Sequence, residues 1–465
     1  MWTSKEIEQA LNISGISLSQ PCTGISIDSR TVKKGDLFFA LRGENSDGHF
    51  YVSEALHKGA IAVFVEKIQD HIPAAKQILV PSARKAMEQL AAFARQKTEA
   101  KVAAITGSAG KTTTKEMLAF ILGKVGKVIY SRESYNNDIG VPFSLAHIEK
   151  DTDFGVFEVG MNNPGEIAPL TMMVRPHVAI ITSLGESHIG LMGSEEAIAE
   201  EKSEVMRGLD SNGTAIFPHD TKHTSTLLKK ARSFSIEHIK TFGKQEGAYA
   251  QLLTFKPNNQ GTGGEVTVKI GEKTYVYILG IPGEHSALNS LAVLLAVESF
   301  GLSIEDALPF FKDFSPVRGR GLRHVLPFKN GYLTLIDDAY NANPSSMRAG
   351  LSVLGAIDSI DKKGRKIAVL GDMKELGQGS PEYHKALSLV IDSVGVDLVF
   401  ASGTDMKYLY DVLPLAKKGG YSETPEGLIP IVMHAVHEND LVFVKGSKGS
   451  YVSKVVDAFL HKKVG

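Results

Sequence analysis

Apolar positions in the first hundred residues fall in short clusters broken by polar and glycine-containing stretches. Ile25 to Asp28, Leu37 to Leu41 and Ile61 to Val65 read as strands, and the helical spacing from Ser82 to Arg95 reads as a helix. A second block opens with a strand at Lys101 to Thr106, turns through glycines, and enters a helix at Thr112 to Leu122. The strands Gly155 to Val159 and Val178 to Thr182 then alternate with helical stretches such as Glu195 to Arg207. Alternation of this kind predicts a mostly parallel sheet covered on both faces. Between about Phe242 and Ile278 the pattern becomes turn-rich and alternating, which reads as β-hairpins decorating that core, and the helix Leu288 to Phe300 follows. After Phe311 a third series begins. It comprises strand Leu333 to Asp337, a helix from Pro344, strand Lys366 to Leu370, a helix near His384, strands Leu398 to Ala401 and Leu441 to Val444, and a last helix.

The expected fold is therefore α/β in three domains. A small N-terminal α/β domain would occupy residues 1–98, a central P-loop ATPase-like domain with a mostly parallel sheet 99–313, and a C-terminal Rossmann-like domain 314–465. A chain of 465 residues exceeds what one hydrophobic core serves, which agrees with about three units. A hydrophobic content of 43% with 22% charged residues is that of a water-soluble globular chain and excludes a disordered or fibrous class.

A net charge of −1 leaves no global field to attract nucleic acid or an anionic membrane, so an anion site has to be local. The apolar run Leu291 to Val297 ends at Glu298, far short of the roughly 18 residues a membrane span requires. Cys22, the single cysteine, cannot form an intramolecular disulfide. Lys5, Glu6 and Glu8 stand where a signal peptide would place an apolar run. The expectation is a cytoplasmic protein with neither nucleic-acid partner nor membrane insertion.

The segment Thr106-Gly107-Ser108-Ala109-Gly110-Lys111-Thr112 reads as a phosphate-binding loop for a nucleoside triphosphate, with ATP expected. Glycines at 107 and 110 let the backbone turn its N–H groups towards phosphate oxygens, Lys111 supplies a point charge, and Thr112 offers a hydroxyl to Mg²⁺. The general form of this loop places a glycine where Ile105 stands, so the version here is compressed. Glu158 ends an apolar strand at the carboxyl edge of a parallel sheet, a position suited to Mg²⁺ coordination; the plain alternative is a solvated strand end. His188 follows another strand end in a glycine-containing loop and shares that edge, which favours a ligand role over a structural histidine. Lys202 lies in Glu200-Glu201-Lys202-Ser203-Glu204, and on its own this run reads as an exposed, salt-bridged helix face.

Longer motifs carry more. Asp28-Ser29-Arg30, Gly35 to Ala40, Ile105 to Thr113, Asn136-Asn137-Asp138-Ile139-Gly140-Val141-Pro142, Glu158 to Asn162, Asp338 to Arg348, Leu370 to Gly377 and Val444 to Gly449 together resemble the Mur ligase family. Within it they resemble the members that add D-alanyl-D-alanine to a UDP-N-acetylmuramoyl-tripeptide. The compressed loop is that family's own form.

The resemblance implies an ATP-dependent amide-bond ligase working through an acyl phosphate and producing the pentapeptide precursor of peptidoglycan. It implies that Thr106, Gly107, Ser108, Ala109, Gly110, Lys111, Thr112 and Thr113 hold the triphosphate, that Thr112, Glu158 and His188 bind Mg²⁺, and that Lys202 is carbamylated. Lys111, Lys202, Glu158 and His188 would form the catalytic set. Asn289 would meet the adenine, and Arg320 and Asp338 the nucleotide from across a domain junction. Ser29, Arg30, Asn136, Asn137, Asn341 and Asn343 would bind substrate. The expected partners are the UDP-linked tripeptide and D-alanyl-D-alanine, taken up by a monomer that closes around them. Ser183 and Ser286 depart from the family pattern, where Asn is usual, and Lys448 stands where Arg is usual.

Overall fold

The computed structural model describes residues 1–43, 46–132, 134–258, 260–329, 331–357 and 364–461. Its strands form three sheets, in chain order and without mixing. The first holds β1 (Gly24–Ser26), β2 (Asp36–Phe39), β3 (Ala62–Val65) and β4 (Gln77–Leu79), all parallel and adjacent in that order. Strands β2 and β3 are buried at every position because both faces are covered, which is why they read as continuous apolar runs rather than as alternation. Phe39 and Phe64 stack across the pair with ring centroids 4.2 Å apart.

Helix Ala83–Lys97 follows, started by the Ser82 hydroxyl, which accepts the Lys85 N–H. Its apolar stripe (Ala83, Met87, Leu90, Ala94) is buried, and the helix packs on helices Gly140–Leu145 and Ile167–Val174 of the central unit. Arg95 donates from Nε to the Val174 carbonyl (2.8 Å) and from Nη2 to that of Arg175 (2.7 Å), satisfying the open end of helix Ile167–Val174. Trp2 joins the same junction. It is fully buried, donates from Nε1 to the Ala146 carbonyl at 3.0 Å, and carries Lys97 Nζ 4.4 Å from its ring centre. Trp2→Ala is therefore expected to cost about 3–5 kcal/mol in urea unfolding, the range for truncating a buried aromatic. A loss under about 1 kcal/mol would show that the N-terminal segment does not hold the two units together.

The second sheet contains β5 (Lys101–Thr106), β6 (Val128–Tyr130), β7 (Phe154–Glu158), β8 (Val178–Ile181), β9 (Thr214–Pro218), β10 (His238–Gly243), β11 (Ala250–Pro257), β12 (Gly264–Ile270) and β13 (Lys273–Leu279). Its order is β13-β12-β11-β10-β9-β8-β5-β7-β6. The chain leaves β5 for β6 and β7 on one side, then crosses to β8 on the other, so the order reverses at β5. Ligands of doubly wound sheets sit at the carboxyl end of such a reversal.

The segment from Phe242 to Ile278 does not decorate this core. β10 runs parallel to β9, β11 continues beside β10, and β11 to β13 extend the same sheet as an antiparallel meander. Alternation predicted strands correctly, but a period of two cannot say whether a strand joins an existing edge. In β12, Val266, Val268 and Ile270 are buried in one cluster with Leu291, Leu294 and Leu295 of helix Glu284–Ser299, and that burial fixes the strand on the sheet.

The third sheet has β14 (Leu322–Phe328), β15 (Gly331–Asp338), β16 (Lys366–Gly371), β17 (Leu398–Ser402), β18 (Lys418–Ser422) and β19 (Leu441–Lys445). The order is β14-β15-β19-β16-β17-β18, parallel except for the β14–β15 pair. Among the described residues no helix is long and apolar enough to cross a membrane.

Candidate active site

The loop after β5 leads into helix Lys111–Leu122, with Gly110 as its N-cap. Gly107 has φ +148° and Gly110 φ +83°, both outside the range L side chains favour. Space is equally restrictive. A Cβ on Gly107 would sit 2.0 Å from Thr182 Oγ1, and one on Gly110 would sit 2.8 Å from the Asn289 amide.

The segment after β8 holds the loop in place. Ser183 accepts the Ser108 N–H at its carbonyl (2.9 Å) and the Ala109 N–H at its hydroxyl (2.8 Å), Thr182 Oγ1 donates to the Ala109 carbonyl (2.5 Å), and Ser187 Oγ donates to that of Ser108 (2.8 Å). Thr106, buried in β5, accepts the Thr182 N–H at 2.9 Å. Ser183, a departure from the family pattern, thus anchors the loop itself. Gly107→Ala is expected to weaken ATP binding about tenfold or more, because left-handed strain and displacement of the Thr182 contact together exceed roughly 1.4 kcal/mol. Titration calorimetry on a variant with unchanged circular dichroism checks this; unchanged affinity would contradict it.

Lys111 folds back over the loop and donates from Nζ to the Gly107 carbonyl at 2.7 Å. Burial draws its pKa down, Glu158 opposes that, and Arg320 adds to it. Thr113 faces the same cavity one residue beyond Thr112. At the end of β7, Glu158 is 1% exposed, so it is no solvated strand end. Asn136 Nδ2 donates to Oε1 and Thr112 Oγ1 to Oε2, each at 2.8 Å. Both donors are neutral, and among the described residues Glu158 forms no ion pair within salt-bridge distance, so a buried carboxylate is left to be balanced by a cation. Asn137 supports the arrangement from behind, accepting the Gly140 N–H at 2.9 Å and fixing the start of helix Gly140–Leu145.

From the C-terminal unit, Arg320 lies with its guanidinium carbon 4.5 Å from the Tyr340 ring centre and donates from Nη2 to Thr112 Oγ1 at 3.2 Å. Asp338 accepts from Lys445 Nζ at 2.7 Å, and the same nitrogen donates to the Asn341 carbonyl at 3.0 Å. Asn343 caps helix Pro344–Ala356 with its side-chain oxygen. Its Nδ2 donates to the Ser108 carbonyl (3.0 Å) and to Ser187 Oγ (2.5 Å), so a substrate would have to share an amide already committed to the loop.

His188 caps the short helix Ile189–Met192 with φ +63°, and Glu375 Oε2 lies 2.5 Å from its Nδ1. Among the described residues no three His, Cys, Asp or Glu side chains cluster as a preformed metal cage. The set suits Mg²⁺, which takes one or two carboxylates and completes its shell with phosphate oxygens and water.

Lys202 corrects the simple reading of its charged run. In helix Glu195–Ser203 it is 1% exposed, on the same face as Ile198 and Ala199, and among the described residues it has no hydrogen-bond or ion-pair partner. Burial first, and then the positive charge of Lys111, hold its amine well below the ordinary lysine range, while Glu201 opposes them. Glu201 itself caps the earlier helix Ile167–Val174 by accepting the Gly165 and Ile167 N–H groups, each at 2.9 Å.

Lys111, Thr112, Glu158, His188, Arg320 and Asn343 line a cavity of about 670 Å³ bounded by the central and C-terminal units, with Asn289, Asp338 and Asn341 also in its wall, whereas Lys202 does not line it. Ser29 and Arg30 lie outside it. Ser29 donates to Glu54 at 2.9 Å, and exposed Arg30 pairs with Asp28 at 2.7 Å, which holds the Asp28 carboxyl below the usual range. Sequence reasoning assigned no role to His285, Phe314 and Lys445 in the wall; His285, four residues before Asn289, and Lys445 stood inside family-like stretches, whereas Phe314 had no spacing signal.

Three family patterns match successive stretches of the chain. These are "Mur ligase family, catalytic domain" over residues 21–97, "Mur ligase middle domain" over 105–297, and "Mur ligase, glutamate ligase domain" over 324–448. The UDP-N-acetylmuramoyl-tripeptide–D-alanyl-D-alanine ligase of Rickettsia prowazekii is 34% identical over 99% of this chain and 100% of its own length. Among solved structures, MurF from Acinetobacter baumannii matches with a TM-score of 0.84 at 29% identity, covering 99% of both chains. MurF from Thermotoga maritima, solved in complex with ADP, matches with a TM-score of 0.76 at 27% identity, covering 94% of this chain and 96% of that one. With the phosphate-binding loop at the sheet reversal and the similarity running from end to end, this chain belongs to the Mur ligase family.

Proposed function

We propose that this protein joins D-alanyl-D-alanine to the terminal carboxylate of UDP-N-acetylmuramoyl-tripeptide at the expense of ATP, as a cytoplasmic monomer of three domains, 1–98, 99–313 and 314–465. The observation that carries the reading is a phosphate-binding loop whose Thr112 and Ser108 are touched from across the cavity by Arg320 and Asn343 of the C-terminal unit. A loop that only held nucleotide would need no second unit on its open side. A ligase has to align three substrates and keep water from an activated acyl group.

In this reading the tripeptide carboxylate attacks the γ-phosphorus, ADP leaves, and an acyl phosphate forms. The free amine of the dipeptide then attacks the acyl carbon and phosphate departs with one of the original carboxylate oxygens. Lys111 and Arg320 offset charge on the transferring phosphoryl group. Thr112, Glu158 and His188 hold Mg²⁺, which when bound neutralises phosphate charge. Lys202 is carbamylated: its depressed pKa favours the neutral amine, which adds to CO₂ and loses a proton to give an anionic carbamate whose oxygens can serve as ligands. Asn289 and Asp338 face the nucleoside, Asn136, Asn137, Asn341 and Asn343 line the peptide's path, and Ser29 and Arg30 hold the UDP end.

The test is phosphate release with ATP, the UDP-linked tripeptide and one candidate amine at a time. Turnover with D-alanyl-D-alanine and not with single amino acids or glutamate is expected. Turnover with a single amino acid would make the protein a sister ligase, and none with any amine would refute the proposal.

A further inference from the structure

His188 and Glu375 meet across the junction of the central and C-terminal units in a way that chance packing does not require. Both residues hold left-handed backbone, φ +63° and +66°, although neither is glycine. Such conformations are strained for residues other than glycine and persist only where the surroundings over-determine them. Here the surroundings do. Gly190 donates its N–H to the Glu375 carbonyl at 3.0 Å, and a Cβ on Gly190 would lie 2.5 Å from the Gly377 nitrogen. Two glycines thus permit the backbones to touch. The contact delivers Glu375 Oε2 to within 2.5 Å of His188 Nδ1, off the line of a straight N–H···O bond but so close that the carboxylate charge disfavours a bare lone pair on Nδ1.

The two side chains also differ in what they face. His188 lines the cavity, whereas Glu375 does not. A carboxylate on Nδ1 fixes the ring's tautomer and leaves Nε2 as the nitrogen available to a ligand, the arrangement by which an outer carboxylate orients a histidine.

We infer that Glu375 is a positioning residue: supplied by the C-terminal unit, it sets the tautomer and orientation of His188, so the central site is complete only while the two units are docked. The inference rests on the proposed role of His188 for its effect on turnover, but the contact itself can be read independently.

The experiment uses the full chain at pH 8, where an ordinary imidazole is neutral, with ¹⁵N-labelled histidine. The His188 resonances are assigned by their absence in His188→Ala. In the wild type Nδ1 should carry the proton and Nε2 should be bare. Glu375→Ala should convert this to a mixture of tautomers while the melting temperature stays near wild type, and Glu375→Gln should preserve most of the wild-type pattern. In steady-state assays Glu375→Ala is expected to lower kcat about 10–100-fold with little change in the KM for ATP, Glu375→Gln to recover much of that, and Glu375→Ala to have no added effect in a His188→Ala background. An unchanged tautomer in Glu375→Ala, or independent multiplication of the two alanine effects, would overturn the inference. A changed tautomer in a protein that ligates nothing would leave it standing and count against the proposed function instead.

Discussion

Replacing Lys111 by Ala is expected to lower ATP-dependent turnover by about a thousandfold, the largest single effect any substitution in this chain should have. Among the described residues its ammonium group is the only lysine charge placed on the loop, and its one hydrogen bond is to the Gly107 carbonyl at 2.7 Å. A cation drawn out of water, its pKa lowered by burial, and left with a neutral partner is poised for an anion. Removing one well-placed donor from a developing charge costs about 10²–10³ in rate, and loss of a full charge belongs at or beyond the upper end. Stability should change by less than about 1 kcal/mol, since a single bond to a loop carbonyl is lost and no packed core group is removed. Steady-state phosphate release together with thermal unfolding checks both halves. Turnover within tenfold of wild type would remove Lys111 from the mechanism.

Lys202→Ala should be nearly as damaging, by about a hundredfold to a thousandfold, for a different reason. Among the described residues the buried Lys202 side chain has no hydrogen-bond or ion-pair partner to hold it as a cation, and both burial and Lys111 press it towards the neutral amine. The neutral form is the one that adds CO₂. The sign of the pH dependence follows: with its pKa depressed, the amine stays neutral to a lower pH than an ordinary lysine would, and acidification through that pKa protonates it and removes the carbamate. Activity should therefore fall reversibly when CO₂ and bicarbonate are stripped from the buffer and should fall on the acid side. Incubation of the wild type with ¹³C-bicarbonate should give a carbamate carbon signal that Lys202→Ala lacks. A variant that turns over normally, or a wild type indifferent to CO₂, would rule out the modification.

How much of this was legible in the sequence depends on where each signal is stored. β5, its glycines and the helix behind them were readable because strand, turn and helix each leave a local mark. On charge count alone Lys202 reads as surface because of its acidic neighbours, and only the resemblance to a family reverses that reading. Yet Ile198 and Ala199, four and three residues earlier, place it on the apolar face, and helical periodicity should outrank charge count.

The sequence reading names no strand at β4, β6, β14 and β18, which lie at sheet edges, nor at the interior β9 and β10. β14 buries only Phe328, and β18 contains Gly419 and Gly420 and has no fully buried position, so neither shows an apolar run or a clean alternation. The contacts that complete the site were out of reach in principle. Asn343 reaches Ser108 across 235 residues and Arg320 reaches Thr112 across 208, and no local spacing encodes either. There only the resemblance to a family pointed the way, and it could not say that Asn343 would spend its amide on the loop or that Ser183 would anchor it.

The central claim is that the tripeptide carboxylate is phosphorylated before the amide bond forms. Substrate labelled with ¹⁸O in that carboxylate, turned over with ATP and D-alanyl-D-alanine, tests it directly. One labelled oxygen should appear in the inorganic phosphate for each amide bond made, with ADP as the nucleotide product. Unlabelled phosphate, or release of AMP and pyrophosphate, would contradict phosphoryl transfer to the carboxylate.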